Sequence, residues 1–367
     1  MRVAFYAPMK PPGHPVPSGD RRIARAFMGL LGDLGYEVEL ASTFRSYDGV
    51  GDGVRQERLG RLGAELATRY LRHRRHRPPQ LWFTYHLYHK APDWLGPAIS
   101  RTLRIPYVVA EASLAGKQAA GPWASGFAAT RAAIGSADLV LAMTERDLPG
   151  LRSAVARERL RLFPPFLDAA PFVTAAPLAQ STEPTLLAVA MMRADVKRQS
   201  YAVLADALGY LIDLRWRLVL VGDGEARAEV AAMFAPFGDR VTMMPAVPLA
   251  QLAPVYAGTD LYVWPACNEA YGMALLEAQA AGIPVVAGHE GGVPDIVVSG
   301  TTGLLVEPRS AIAIAAAVRS LLGDPNRRRA MGRAAQAHVL ARHDIRPARH
   351  RLAEVLADIG MAACASA

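Results

Sequence analysis

Short apolar runs alternate with longer amphipathic ones along the whole chain, and turn residues separate them. In the first half the short runs predict strands at 2–7, 38–42, 81–85, 107–110 and 139–143. Between them, helix-period patterns fall at 20–34, 56–75 and 123–134, and Gly35 closes the first of these. In the second half, strands are predicted at 186–190, 217–221, 241–243, 261–264, 284–287 and 303–306. Helices are predicted there at 200–211, 225–234, 249–256, 273–281 and 311–322, and a last amphipathic one at 345–359. Strand-like runs alternating with helix-like ones point to α/β domains with parallel sheets.

A chain of 367 residues suggests two domains of ordinary size. The segment 164–183 carries Pro164, Pro165, Pro171 and Pro177 among small residues and reads as the linker. The expected division is therefore 1–170, 171–344 and a crossing segment, 345–367. A hydrophobic share of 51% and a mean hydropathy of +0.13 exclude a disordered chain. No run reaches the roughly 18 apolar residues of a membrane span. The first apolar run is too short for a secretory leader, so a cytoplasmic protein is expected. Cys267 and Cys364 form neither a metal spacing nor a disulfide framework, and Cys267 reads as a small buried residue.

Charge changes this picture in one place. Residues 1–170 hold 24 Lys and Arg against 15 Asp and Glu, so they carry the whole net charge of +8 and slightly more. Much of it lies in 69–77, which includes Arg69, Arg72, Arg74, Arg75 and Arg77. This is either a solvated helix end or a surface for an anionic membrane face. No nucleic-acid recognition motif accompanies it, so nucleic acid is not an expected partner.

The stretch 268–287 concentrates the candidate chemistry. Glu269 and Glu277 stand with seven residues between them. Glu269 follows a buried strand, and Gly272 leads into the helix that carries Glu277. Gly282 and Pro284 end that helix, and a new strand begins at once. Both glutamates thus lie at one strand-to-helix junction, where free N–H groups and the helix dipole suit a ligand with phosphates and hydroxyls.

This Glu-x7-Glu stretch resembles the signature of the retaining GT-B glycosyltransferases of family 4. The resemblance extends to Gly291-Gly292-Val293-Pro294-Asp295, Thr302-Gly303-Leu304-Leu305, the glycine turn Gly222-Asp223-Gly224, and the basic pair Arg193 and Lys197. It is dense from about Leu186 to Leu340. It implies the GT-B fold: two Rossmann-like domains with parallel sheets facing a central cleft, and a C-terminal helix crossing back to the first domain. It implies transfer of a sugar from a UDP- or GDP-sugar to an acceptor hydroxyl, with retention, in bacterial polysaccharide, glycolipid or glycoconjugate synthesis.

The same resemblance assigns roles. Arg193 and Lys197 follow a strand end, where ligands bind in open α/β sheets, and would grip the diphosphate. Glu277 would accept from the ribose hydroxyls, and Glu269 would contact the sugar. Gly272, Met273 and Ala274 would offer backbone N–H groups, and Gly222, Gly19 and Val247 would line the nucleotide site. Arg198 stands where relatives often have glycine and is a further phosphate candidate; Arg21 and Arg22 could serve phosphate or membrane. Asp168 and Phe172 resemble residues that close the first domain.

The acceptor falls to the first domain. Glu111 occupies the place where many relatives have a histidine, and reads as a hydroxyl ligand, a base or a structural carboxylate. His14, His86 and His89 are further acceptor-side candidates. No Asp-x-Asp occurs, and the basic pair can neutralise a diphosphate, so no metal or other cofactor is expected. A GT-B epimerase and a silent sugar-nucleotide binder stay open as alternatives. A Rossmann dehydrogenase does not, because no Gly-x-Gly-x-x-Gly follows the first strand.

Overall fold

The structure is a computed structural model that describes residues 1–16, 18–177, 181–194 and 196–361. Cys364, noted in the sequence, lies outside the described residues. The chain divides into two compact units, Met1–Pro164 with the segment from Arg346 on, and Pro165–Ile345. The division thus falls ahead of residue 170. Phe172, expected to close the first domain, packs its ring against Tyr256 of the second unit at 5.5 Å, and Asp168 accepts from the Ala170 N–H at 3.1 Å.

The first unit holds β1 (Arg2–Tyr6), β2 (Glu37–Ser42), β3 (Leu81–Leu87), β4 (Tyr107–Ala112), β5 (Leu139–Ala142) and β6 (Leu160–Leu162). They form one parallel sheet in the order β2-β1-β3-β4-β5-β6. Helices at Gly19–Asp33, Gly53–Arg74, Gly96–Leu103 and Ala124–Ser136 connect the strands. Sheets covered on both faces need strands that are apolar throughout, and β1, β4 and β5 are buried almost residue for residue. The helix Ile345–Ala357 and the described residues after it join this unit. Arg351 lies over the Phe163 ring, and the Tyr36 hydroxyl donates to the Met361 carbonyl at 2.8 Å.

The second unit holds β7 (Thr185–Val189), β8 (Arg217–Val221), β9 (Val241–Met244), β10 (Leu261–Trp264), β11 (Val285–Gly288) and β12 (Gly303–Val306). This sheet is also parallel, in the order β12-β11-β10-β7-β8-β9. Its helices include Val196–Gly209, Arg227–Phe234, Leu249–Ala257, Met273–Ala280, Ala311–Leu322 and Pro325–Arg342.

The two orders decide where ligands can enter. Strand order reverses between β1 and β3 in the first sheet, and between β7 and β10 in the second. At such a switch point the connections leave in opposite directions and open a crevice at the carboxyl ends of the strands.

Candidate functional site

Two loops flank the switch point of the second sheet. One follows β7 and carries Arg193 before the helix that bears Lys197. The other follows β10 and carries Glu269. The Lys197 ammonium bonds Glu269 Oε2 directly. The indole Nε1–H of Trp264, the last residue of β10, donates to the same oxygen at 3.3 Å. The ammonium also lies 5.7 Å from the centre of that indole. A cation over an aromatic face is attracted by the ring quadrupole, so the lysine charge has two fixed neighbours.

The loop that presents Glu269 is shaped by unusual backbone. Ala266 and Asn268 take left-handed conformations at φ 57° and 50°. Arg309 straps the loop by donating to Asn268 Oδ1 at 3.1 Å and to Glu290 Oε1 at 3.0 Å. Gly291, at φ 64°, passes so close that a Cβ there would stand 1.8 Å from the Glu269 carbonyl. The Gly291-Gly292 motif is therefore a seat for the glutamate loop. Cys267 is buried on this loop, and its N–H donates to Ser200 Oγ at 3.0 Å.

Gly272, at φ 82°, opens the helix Met273–Ala280, and no side chain caps it. The first N–H groups of a helix have no partner within it, so those of Met273 and Ala274, both half-buried, suit an anion. Glu277 lies further along this helix and is 1% exposed. It accepts from the Tyr256 hydroxyl at 2.9 Å, which fixes its carboxylate. Gly222 follows β8. A Cβ on it would stand 2.0 Å from the Ala190 carbonyl, so the loop before Arg193 itself demands this glycine.

The first unit has a cluster of its own at its switch point. His86, at the end of β3, meets Asp20 on the first turn of helix Gly19–Asp33, Nδ1 to Oδ1 at 2.9 Å. Glu111, on β4, lies 4.0 Å from the same nitrogen. His86 and Glu111 both have positive φ, 61° and 55°, a conformation that non-glycine residues seldom take. Burial works to lower the His86 pKa, but the Glu111 and Asp20 carboxylates outweigh it and raise it to about 9. Burial lifts the Glu111 carboxyl above its usual range, with His86 opposing. For Asp20, burial is outweighed by His86 and Lys10, which hold its carboxyl below the usual range. The ligand atoms of these three lie within 4.8 Å of one another, the one such group among the described residues. With His86 protonated, Nδ1 is a hydrogen-bond donor rather than a metal ligand.

Residues 175–338, all within the second unit, match the family described as Glycosyl transferases group 1. That match covers less than half of this chain. The D-inositol 3-phosphate glycosyltransferase of Segniliparus rotundus is 48% identical over 100 residues, 27% of this chain and 22% of the relative. The GDP-mannose-dependent alpha-(1-6)-phosphatidylinositol monomannoside mannosyltransferase of Mycolicibacterium smegmatis is 35% identical over 148 residues, 38% of this chain and 39% of the relative. The chain thus spans well under half the length of these curated relatives. Among solved structures, a sucrose-phosphate synthase from Thermosynechococcus elongatus superimposes with a TM-score of 0.77 at 21% identity, covering 98% of this chain and 99% of its own. Anabaena Alr3699/HepE, solved in complex with UDP and glucose, gives 0.72 at 18% identity, covering 97% and 99%. The fold is GT-B, with a parallel six-stranded sheet in each unit.

The structure joins some of the residues singled out in the sequence and separates others. Lys197, Glu269 and Gly272 meet at one switch point. Arg193 stands on the adjoining loop, its guanidinium on Met191 Sδ at 3.1 Å. Arg198 turns to Glu229 at 2.6 Å, on the exposed side of its helix. Val247 lies on the loop after the edge strand β9, and no hydrogen bond among the described residues ties it to the Lys197–Glu269 pair. Gly19 opens its helix with nothing within 4 Å of a Cβ, so protein packing does not require a glycine there. Arg21 braces the loop before its helix by donating to the His14 carbonyl at 2.8 Å. His14 itself accepts from the Val16 N–H at 3.2 Å, and His89 packs edge-on to Trp123. Neither contact belongs to the Asp20–His86–Glu111 cluster. Asp20, Lys10, Tyr256 and Trp264 were not singled out, because their partners (His86, Asp20, Glu277 and Glu269 in turn) are set only by folding.

Proposed function

We propose that the protein transfers a sugar from a nucleotide diphosphate, a UDP- or GDP-sugar, to an acceptor hydroxyl. The observation that carries this reading is the meeting of Lys197 and Glu269 at the second switch point, beside an uncapped helix N-terminus. As the bond from the sugar to the diphosphate breaks, the leaving oxygens gain negative charge. A fixed cation there lowers the barrier, by ~2–4 kcal/mol on the scale of other electrostatic stabilisers. In this reading Arg193 and Lys197 face the diphosphate, and the N–H groups of Met273 and Ala274 add to them. Glu269 takes sugar hydroxyls. Glu277, oriented by Tyr256, takes the ribose.

The acceptor oxygen attacks on the face the diphosphate leaves, so configuration is retained. A new sugar–oxygen bond forms as the old one breaks, and the acceptor proton passes to the departing diphosphate oxygen. The two basic side chains supply the charge that a divalent ion supplies elsewhere, and no metal step is needed. The names of the relatives support this reading, as does the UDP and glucose bound by Anabaena Alr3699/HepE. The acceptor we propose is a glycan or lipid-linked hydroxyl in bacterial polysaccharide, glycolipid or glycoconjugate synthesis, addressed by Glu111 and His86 of the first unit.

One surface favours a lipid-linked acceptor at the inner face of the cytoplasmic membrane. The helix Gly53–Arg74 presents Arg55, Arg58, Arg61, Arg69 and Arg72 to solvent. Val50 and Val54 are 79% and 76% exposed beside them. Among the described residues no helix is long and apolar enough to cross a membrane.

Incubation with nucleotide sugars and a panel of acceptors, followed by NMR, tests the central reading. The expected result is nucleoside diphosphate released only when an acceptor is present, slowed about 10²–10³-fold in Lys197→Met. Release of free sugar and nucleotide regardless of acceptor, or a folded protein without turnover, would contradict it. Epimerised sugar would point to the epimerase instead.

A further inference from the structure

We propose that Trp264 is a positioning residue of this site, one that aims Glu269 at the hydroxyls of a hexose and takes no part in holding the nucleotide. The inference deepens the sugar-transfer reading and rests on it. Trp264 is 2% exposed, so its ring cannot be a general ligand platform. What it offers is a single N–H, directed at Glu269 Oε2. Lys197 bonds that same oxygen. Among the described residues the other oxygen, Oε1, carries no hydrogen bond. Both donors therefore act on one side of the carboxylate and leave the opposite oxygen to accept from a ligand.

The two donors differ in what a nucleotide sugar would do to them. An ammonium has three N–H groups and can turn toward a diphosphate. The indole has one, held on a ring that cannot move. Tyr201 packs edge-on against that ring at 5.0 Å, and its hydroxyl donates to the Ala190 carbonyl at 2.8 Å, on the loop that leads to Arg193. Trp264 thus ties the Glu269 loop to the strand-end loop of β7. The Glu269 loop needs such a tie, because its own backbone runs through left-handed residues rather than regular structure. When Lys197 engages phosphate, the indole N–H is the donor that stays on Glu269.

The test separates sugar recognition from nucleotide recognition. Calorimetric titration would compare UDP with UDP-glucose, and GDP with GDP-mannose, on wild type, Trp264→Phe and Trp264→His. The phenylalanine keeps the ring and loses the N–H, and histidine offers an N–H again. The expected result is unchanged affinity of Trp264→Phe for the nucleoside diphosphate and an affinity about tenfold weaker for its sugar, a factor equal to ~1.4 kcal/mol, partly restored by histidine. Equal loss for both ligands would show a merely structural ring, and no loss would show an idle one; either overturns the proposal. A second measurement needs no variant. The indole N–H resonance of Trp264 should shift with the sugar nucleotide beyond its shift with the diphosphate, and identical shifts would also overturn the proposal. Wild type that binds none of the four ligands would remove the sugar-transfer reading itself, and this inference with it.

Discussion

Lys197 bonds Glu269 and lies against the Trp264 indole, so its charge is fixed at the end of β7 before any ligand arrives. The resemblance to the Glu-x7-Glu family singles out Lys197, Glu269 and Glu277 in the sequence. Their partners are not legible in the same way. Trp264 reads as the end of a buried strand, Tyr256 as a helix residue and Asp20 as a helix start. Tyr256 and Asp20 acquire their roles when folding brings separate segments together, and Trp264 when the loop after β10 turns Glu269 back onto its indole. The positive φ of His86 and Glu111 is equally silent in the sequence. For His86 the consequence is a pH dependence of definite sign. Its folded pKa, about 9, stands above the ordinary value of roughly 6.5. The stability it contributes is fully present below about pH 6.5 and is lost as pH rises through about 9. The Tm gap between wild type and His86→Asn should therefore be widest below pH 6.5 and shrink toward pH 9. Asparagine tolerates the left-handed backbone, so the comparison isolates the charge. A gap that holds constant or widens with pH would contradict the assignment.

At the scale of elements, continuous apolar runs made most strands legible, because both faces of each sheet are covered. β6 escaped, since three residues carry no periodicity. The helix Pro325–Arg342 escaped because it is rich in arginine and lacks a clear apolar face. Its start was nevertheless written in the chain: Pro325 opens it, and Asp324 caps it by accepting from the Arg327 N–H at 2.9 Å. Two glycines also gained a packing reason. Gly222 and Gly291 serve close approach of neighbouring loops, which the sequence did not show. The helix Gly53–Arg74 carries a prediction of its own. Its exposed arginines, each worth about 1 kcal/mol near an anionic bilayer, should bind vesicles containing phosphatidylserine at low salt and release them as salt rises. Substituting Arg55, Arg58 and Arg61 by Gln together should abolish sedimentation with those vesicles. Equal binding to neutral vesicles, or none at low salt, would contradict this surface.

Across the whole molecule, each sheet gathers polar side chains where its strand order reverses. The first places Asp20, His86 and Glu111 there, and the second Lys197 and Glu269. Sequence alternation predicted parallel sheets, but the strand order that makes these crevices is a property of the fold. The charge is divided as well. The basic excess lies in residues 1–170, so the proposed phosphate-binding role of the second unit would rest on a few placed cations and not on a general field. The central claim is that this second unit binds a nucleoside diphosphate through those groups and Glu277. Its most direct test is a thermal-shift titration of UDP, GDP, ADP and dTDP on wild type and on Glu277→Gln, a variant that preserves size. The account predicts that one nucleotide, UDP or GDP, raises the Tm of wild type and that this rise is lost in Glu277→Gln. No rise with any of the four in a folded wild type, or an equal rise in both proteins, would contradict it.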